Sequence, residues 1–203
     1  MTHAVNPHHA ASIRALIEHW ALDRDEGRWE SLLDAYSENG QMVTSWATLP
    51  APDFVAACRN GMNQGHYEVL HEFGASRVDI VGERALAATK MKIMLRGHLH
   101  GIEVDVTAWG VARDRLVLTP HGWKIALRRT VYHKSRIDPV QPDARMSLDA
   151  AGLDPYPPAY RHLAYFQVAH GAKVPTDLLT PESENLRVFT ASDDLWLREG
   201  QAR

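Results

Sequence analysis

Residues 71–100 read HEFGASRVDIVGERALAATKMKIMLRGHLH, and the hydrophobic period of this stretch decides the fold. From His71 to Val81 the pattern is that of a strand, with Val78 and Ile80 on one face. Gly82-Glu83 supplies a turn, and 85–100 form a second, longer strand. On it Met91, Ile93 and Leu95 share one face, while Lys92, Arg96 and His98 share the other. Downstream, a third strand is expected over 103–116. After the turn at Pro120-His121-Gly122 a fourth follows over 123–133.

Upstream the period is helical. Ser12 can cap a helix from Ile13 to Leu22, whose Ile13, Leu16, Ile17 and Trp20 make one stripe before Asp25-Glu26-Gly27 breaks it. A second short helix is expected over Trp29–Tyr36, then a turn at Asn39-Gly40, a strand over 41–46, and a third helix from Asp53 to Asn63. Helices followed by a run of antiparallel strands define an α+β chain. A strongly curved sheet wrapped on a long helix makes a cone with an apolar interior, a natural seat for a small ligand. Beyond residue 137 the character changes. Pro139, Pro142, Pro155, Pro157 and Pro158 read as an extended linker, and helical stretches follow near 159–170 and 183–197. We divide the chain into a domain over 1–136 and an extension over 137–203, which either covers the pocket mouth or packs on a neighbouring subunit.

The chain has 203 residues, 45% hydrophobic and 23% charged, ordinary values for a globular protein with a sizeable core. A net charge of −3 argues against nucleic acid or an anionic membrane as partner. Cys58 is the single cysteine, which excludes an internal disulfide framework and a multi-thiolate metal site; it reads as filler on the third helix. With no signal-peptide pattern at the N-terminus and no long apolar run, a cytoplasmic location is expected. Twelve histidines are more than usual, although His3, His8 and His9 sit in a ragged leading segment. His98 and His100 have a spacing that can bind zinc, but no third ligand is evident. No dinucleotide fingerprint, P-loop or nucleophile elbow is present.

Three segments, in order, carry a resemblance. Residues 13–36 present an amphipathic helix, an Asp at its end, a Gly27-Arg28-Trp29 step and a short second helix. Residues 69–85 place His71 on a strand ahead of Gly74, and residues 122–129, GWKIALRR, form a closing strand. Over roughly residues 10–135 the chain resembles the SnoaL-like, or NTF2-like, superfamily. The resemblance implies a cone of curved antiparallel sheet on N-terminal helices around an apolar pocket. It further implies a homo-oligomer, dimer or trimer, paired through the open sheet face. Scytalone dehydratase and hexachlorocyclohexane dehydrochlorinase, two members, use an Asp–His dyad without metal or organic cofactor. Carried over, the dyad falls on Asp23 and His71.

The chemistry of such a pair is direct. A neutral imidazole removes a proton near pH 7 because its ordinary pKa is about 6.5. A carboxylate on the other ring nitrogen fixes the tautomer and stabilises the imidazolium that forms. Taken alone, a helix-terminal Asp is usually a local cap and a lone strand His usually structural. Arg128 and Arg129 are adjacent on the last strand, so one faces inward. Arg128 resembles in position the leaving-group arginine of the dehydrochlorinase, and Tyr132 would share its face. Tyr67 precedes the His71 strand with His66 and Glu68, and these three are expected at the pocket rim; Trp46, Met91, Ile93 and Trp109 are expected among the core residues that line the cavity. The tyrosines that flank the dyad in scytalone dehydratase are replaced here by Leu22 and Thr44, so its phenol machinery is not expected.

The resulting expectation is a cofactor-independent lyase. His71, held by Asp23, takes a proton from carbon or hydroxyl, and dehydration or retro-aldol release of a small aldehyde follows. The substrate would be a small hydroxylated aromatic or alicyclic compound. Deformylation of lignin-derived diarylpropanes is one activity among the relatives, and an enclosing tail would suit it. The alternatives are an isomerase of the ketosteroid type, with a carboxylate base, and a non-catalytic small-ligand-binding module.

Overall fold

The computed structural model describes residues 7–65 and 67–201. His3 and His66, singled out above, lie outside the described residues. Three helices come first: α1 (Pro7–Asp25), α2 (Trp29–Asp34) and, after strands β1 (Tyr36–Val43) and β2 (Thr48–Pro50), α3 (Ala51–Gln64). Four long strands follow, β3 (Tyr67–Val81), β4 (Arg84–Leu99), β5 (Ile102–Thr119) and β6 (Gly122–Pro139). The extension carries α4 (Ala150–Leu153), α5 (Arg161–Ala169) and α6 (Glu184–Arg198). All six strands form one sheet in the order β2-β1-β6-β5-β4-β3.

Several local expectations are corrected. Helix α1 begins six residues before Ile13 and runs through the expected break to Asp25, while Ser12 bonds back to the His8 carbonyl instead of capping. Asp53 is not a cap; Pro50 stands at the N-cap of α3. Asn39 and Gly40 lie inside β1, and a Cβ at Gly40 would meet the Ile125 carbonyl oxygen at 2.9 Å. β1 pairs with β6 in parallel, so the sheet is not wholly antiparallel. β6 continues past residue 136 to Pro139. His9 is not idle: its Nδ1 accepts from Trp123 Nε1 at 2.9 Å, pinning the start of α1 to β6.

The cone depends on a bulge. Alternation along an unbroken strand would set His71 and Val78 on opposite faces. The register of β3 against β4 shifts between Phe73 and Ser76, so His71↔Ile93, Phe73↔Met91, Val78↔Ala87 and Ile80↔Ala85 all share the concave face. One end of that face packs on α1, α2 and α3, through Ile13, Ile17, Trp20, Leu32 and Phe54. The other end is covered by α5. There Leu163 and Phe166 bury against Leu95, Leu99, Val104 and Val106 of β4 and β5. The space between these two cores is left open.

The extension also covers the back of the sheet. On the convex face, Phe189 of α6 lies under the Arg129 guanidinium, 4.5 Å away, and Trp196 sits between Arg84 and Arg115 at 5.0 and 5.5 Å. Arg115 Nε donates to buried Asp193 at 2.6 Å. The tail therefore embraces both faces of the sheet within one chain. The segment between α5 and α6 crosses the edge of β6 beyond β1, where the Tyr132 amide donates to the Leu179 carbonyl. Among the described residues, no helix is long and apolar enough to cross a membrane.

Candidate functional site

The gap between the two cores is a cavity of about 870 Å³, a size suited to a small organic ligand. Trp20, Arg24 and Asp25 of α1, Phe54 and Cys58 of α3, the concave side chains of β3, β4 and β6, and Gln167 and His170 of the extension line it.

His71 lies on this wall, half-buried, but its partner is not Asp23. The His71 ring Nδ1 is 2.7 Å from Asp25 Oδ1, and the His71 amide donates to Asp25 Oδ2 at 2.6 Å. The carboxylate can only accept, so Nδ1 carries the proton and Nε2 holds the lone pair. Asp23 is buried elsewhere, accepting from Ser31 Oγ at 2.6 Å, and it ties α1 to α2. The correction follows from helix geometry. Because α1 continues past Leu22, the residue that closes it is Asp25, one turn after buried Ala21 on the row Ile13, Ile17, Ala21. That row could have been read in the sequence. The residue preceding the pairing carboxylate is then Arg24; Leu22 is exposed.

The strand pair resolves the arginines. Arg128 faces inward, 1% exposed, and grips Asp114 of β5 with Nε and Nη2 at 2.7 and 2.8 Å. Its guanidinium lies 4.4 Å over the Trp20 ring and 5.2 Å from Phe73. Burial opposes its charge, yet the Asp114 carboxylate outweighs that and holds its pKa up. Nη1 is buried with no hydrogen-bond partner among the described residues. Arg129 faces outward to α6.

Of the remaining candidates, Tyr67, Trp46, Met91, Ile93 and Tyr132 all line the cavity, and so does Glu68 of the expected rim. Trp46 stacks on Phe54, and Tyr67 packs edge-on to Phe166 of the extension. Burial pushes the Tyr132 phenol up to about 12, partly offset by hydrogen bonds from Ser45 and Thr130, so it stays protonated. Trp109 is the exception. It pairs with Lys92 on the convex face, under Lys134 at 4.6 Å, because the inward places beside it belong to Ala108 and Gly110. His100 is not placed for zinc: its Nε2 meets the Tyr165 hydroxyl at 2.9 Å at the β4–β5 turn. Among the described residues no three metal-ligating side chains converge.

Sequence reasoning offered the tail as a cover for the pocket mouth but named no residue of it as lining the cavity. Ser45 Oγ donates to Gln167 Oε1 at 2.8 Å, both buried, so a loop after β1 and the extension are joined across the cavity. Nothing local in residues 137–203 marks Gln167 as a wall residue.

Comparison with known proteins agrees with this architecture. A family model described as a SnoaL-like domain matches residues 8–129. The chain is 33% identical over 172 residues to a PEP2-like protein of Fusarium vanettenii, covering 82% of this chain and 72% of that one. It is 32% identical over 170 residues to pea pathogenicity protein 2 of the same organism, with 82% and 72% covered. Among solved structures it is similar to a putative scytalone dehydratase from Novosphingobium aromaticivorans, with a TM-score of 0.52 at 17% identity over 68% of this chain and 95% of that one. It is also similar to a hexachlorocyclohexane dehydrochlorinase, with a TM-score of 0.54 at 12% identity over 70% and 94%. At these identities the two structures speak for the cone fold alone. The family match and the Fusarium relatives go further: the chain belongs to the SnoaL-like family.

Proposed function

We propose that the protein is a cofactor-independent lyase acting on a small hydroxylated aromatic or alicyclic compound, with His71 as general base. The observation that carries this reading is the two-point hold of Asp25 on His71, at 2.6 and 2.7 Å, on the wall of a cavity of about 870 Å³. With Nδ1–H committed to Asp25, Nε2 accepts the substrate proton, and the carboxylate stabilises the resulting imidazolium. In a dehydration the proton comes from carbon, the carbon–carbon double bond forms, and hydroxide leaves as water after protonation by that imidazolium. In a retro-aldol cleavage the proton comes from a hydroxyl, its carbonyl forms as the adjacent carbon–carbon bond breaks, and the carbanion is protonated in turn. Arg128 Nη1, the buried donor left over from the Asp114 pair, would serve negative charge developing on a substrate oxygen. Both carboxylate oxygens of Asp25 are occupied by His71, which disfavours an isomerase with a carboxylate base.

The test is depletion of a panel of hydroxylated aromatic compounds, diarylpropane diols included, by wild type and His71→Ala, without added metal or cofactor. A loss of about 10²-fold or more in a folded His71→Ala protein supports the base. Turnover that survives the substitution removes His71 from the mechanism, and binding without turnover by wild type would make the chain a ligand-binding module.

A further inference from the structure

We propose that Arg24 is an anion-binding residue of the cavity and that the substrate therefore carries a carboxylate. This inference deepens the lyase reading and takes its reaction from it, but rests on different atoms.

Three arginines line the cavity, and two of them are paired, Arg96 with Asp105 and Arg128 with Asp114. Arg128 is neutralised by Asp114, so that buried pair adds no net charge to the wall. Arg24 lines the same cavity, half-buried, and forms no ion pair with any described carboxylate. The rim carboxylates Glu68 and Glu103 also line the cavity, yet neither comes within ion-pair distance of it, and Asp25 is spent on His71. What Arg24 meets is the thiol of Cys58. Burial raises the pKa of that thiol, and the adjacent Arg24 guanidinium only partly offsets the rise. Cys58 therefore stays a neutral thiol near pH 7, a weak acceptor that leaves the arginine charge uncompensated.

Its place in the last turn of α1 suits a cation, because the helix dipole favours positive charge there by about 0.3–1 kcal/mol. That interaction is equally available to an arginine pointing into solvent, as exposed Arg28 does nearby. It does not account for a guanidinium turned onto Cys58 at the cavity wall, where partial desolvation works against the charge. A ligand anion does, since the planar fork of arginine matches a carboxylate with two parallel bonds.

Position then constrains the ligand. Arg24 is one helical turn, about 6 Å of rise, from Trp20 on the same face of α1, and it is next in sequence to Asp25. A planar acid with its carboxylate on Arg24 would lie along Trp20 towards Arg128, with its reacting bond beside His71.

The experiment is calorimetric titration of wild type, Arg24→Gln, Arg24→Lys and His71→Ala with 2-naphthoate, its neutral amide, and 2-naphthyl phosphate. Wild type is expected to bind naphthoate at least tenfold more tightly than the amide. Arg24→Gln should abolish that preference, Arg24→Lys should restore part of it, and unchanged thermal melting should show that the variants are folded. Equal affinity for acid and amide in wild type, no binding by either included, overturns the proposal. So does a preference that survives Arg24→Gln, and binding of the phosphate in place of the acid overturns the carboxylate assignment. The preference is expected to persist in His71→Ala, so a failure of the anion site and a failure of the general base read out separately.

Discussion

Asp25 grips His71 at two points, one carboxylate oxygen on the backbone amide at 2.6 Å and the other on the ring Nδ1 at 2.7 Å. The backbone contact fixes where the strand meets the end of α1, and the ring contact fixes which nitrogen is basic. One side chain thus sets both the position and the tautomer of the imidazole.

Asp25→Asn separates those two roles. The amide can still accept from the His71 N–H through its oxygen, but its NH₂ now faces Nδ1 and drives the ring proton to Nε2. The fold is expected to hold while kcat falls on the order of 10²-fold or more with KM little changed. Asp23→Ala should do the reverse: kcat stays within a few-fold, and loss of the charged hydrogen bond that ties α1 to α2 lowers stability by about 1.5–3 kcal/mol. Steady-state kinetics beside denaturant melts checks both, and a large kcat loss confined to Asp23→Ala would return the dyad to the first-expected residue.

The Arg128–Asp114 pair, 1% and 0% exposed, is a test of buried charge. Arg128→Met leaves Asp114 unpaired in the core and should destabilise by about 3–5 kcal/mol. Arg128→Met with Asp114→Leu should recover most of that stability. If Arg128 also serves a substrate oxygen, the double variant melts like wild type yet turns over slowly; recovery of turnover along with stability would restrict the arginine to structure.

His162 on α5 supplies a pH dependence. Burial lowers its pKa below 6.5, and its Nδ1 has no partner among the described residues. Above pH 6.5 the ring is neutral in both folded and unfolded chains and has no effect. As pH falls below 6.5 the unfolded chain takes up the proton first, so stability declines until the folded-state pKa is passed and then levels. His162→Gln should be less sensitive to acid than wild type between pH 7 and 5. Identical melting-temperature profiles for the two proteins would contradict this.

Phe166 fastens the extension to the concave face: it is fully buried, with its ring 5.4 Å from Tyr67 and 4.2 Å from His170. Phe166→Ala should cost about 3–5 kcal/mol. Hydrogen exchange should quicken over residues 150–182, and affinity for apolar ligands should fall because the far wall of the cavity loosens. Unchanged exchange in that segment would mean that other contacts hold the extension.

Much of the architecture was legible because the apolar period is a local property. The change from a three-to-four residue stripe in α1 to alternation in β3–β6 is visible in residue types alone, and it yields the order of elements, the inward set Met91, Ile93 and Leu95, and the presence of His71 on a strand. Boundaries were less legible. Asp25-Glu26-Gly27 looks like a breaker, yet the chain stays helical to Asp25, where its side chain is anchored by a strand 46 residues away in sequence. The helix end, expected at Leu22 and found at Asp25, moved the dyad from Asp25 to Asp23.

By itself, then, the sequence determined the α+β order, which follows from residue type and spacing, while its resemblance to the SnoaL-like family implied a histidine facing a pocket. Tertiary structure decided which aspartate meets His71, through the length of α1. The β3 bulge put His71 and Val78 on one face, and the Asp114 pairing separated the neutralised Arg128 from the uncompensated Arg24. It also decided that the extension walls the cavity with α5 and covers the convex face with α6. All of these are contacts between residues far apart in the chain, which no local pattern encodes.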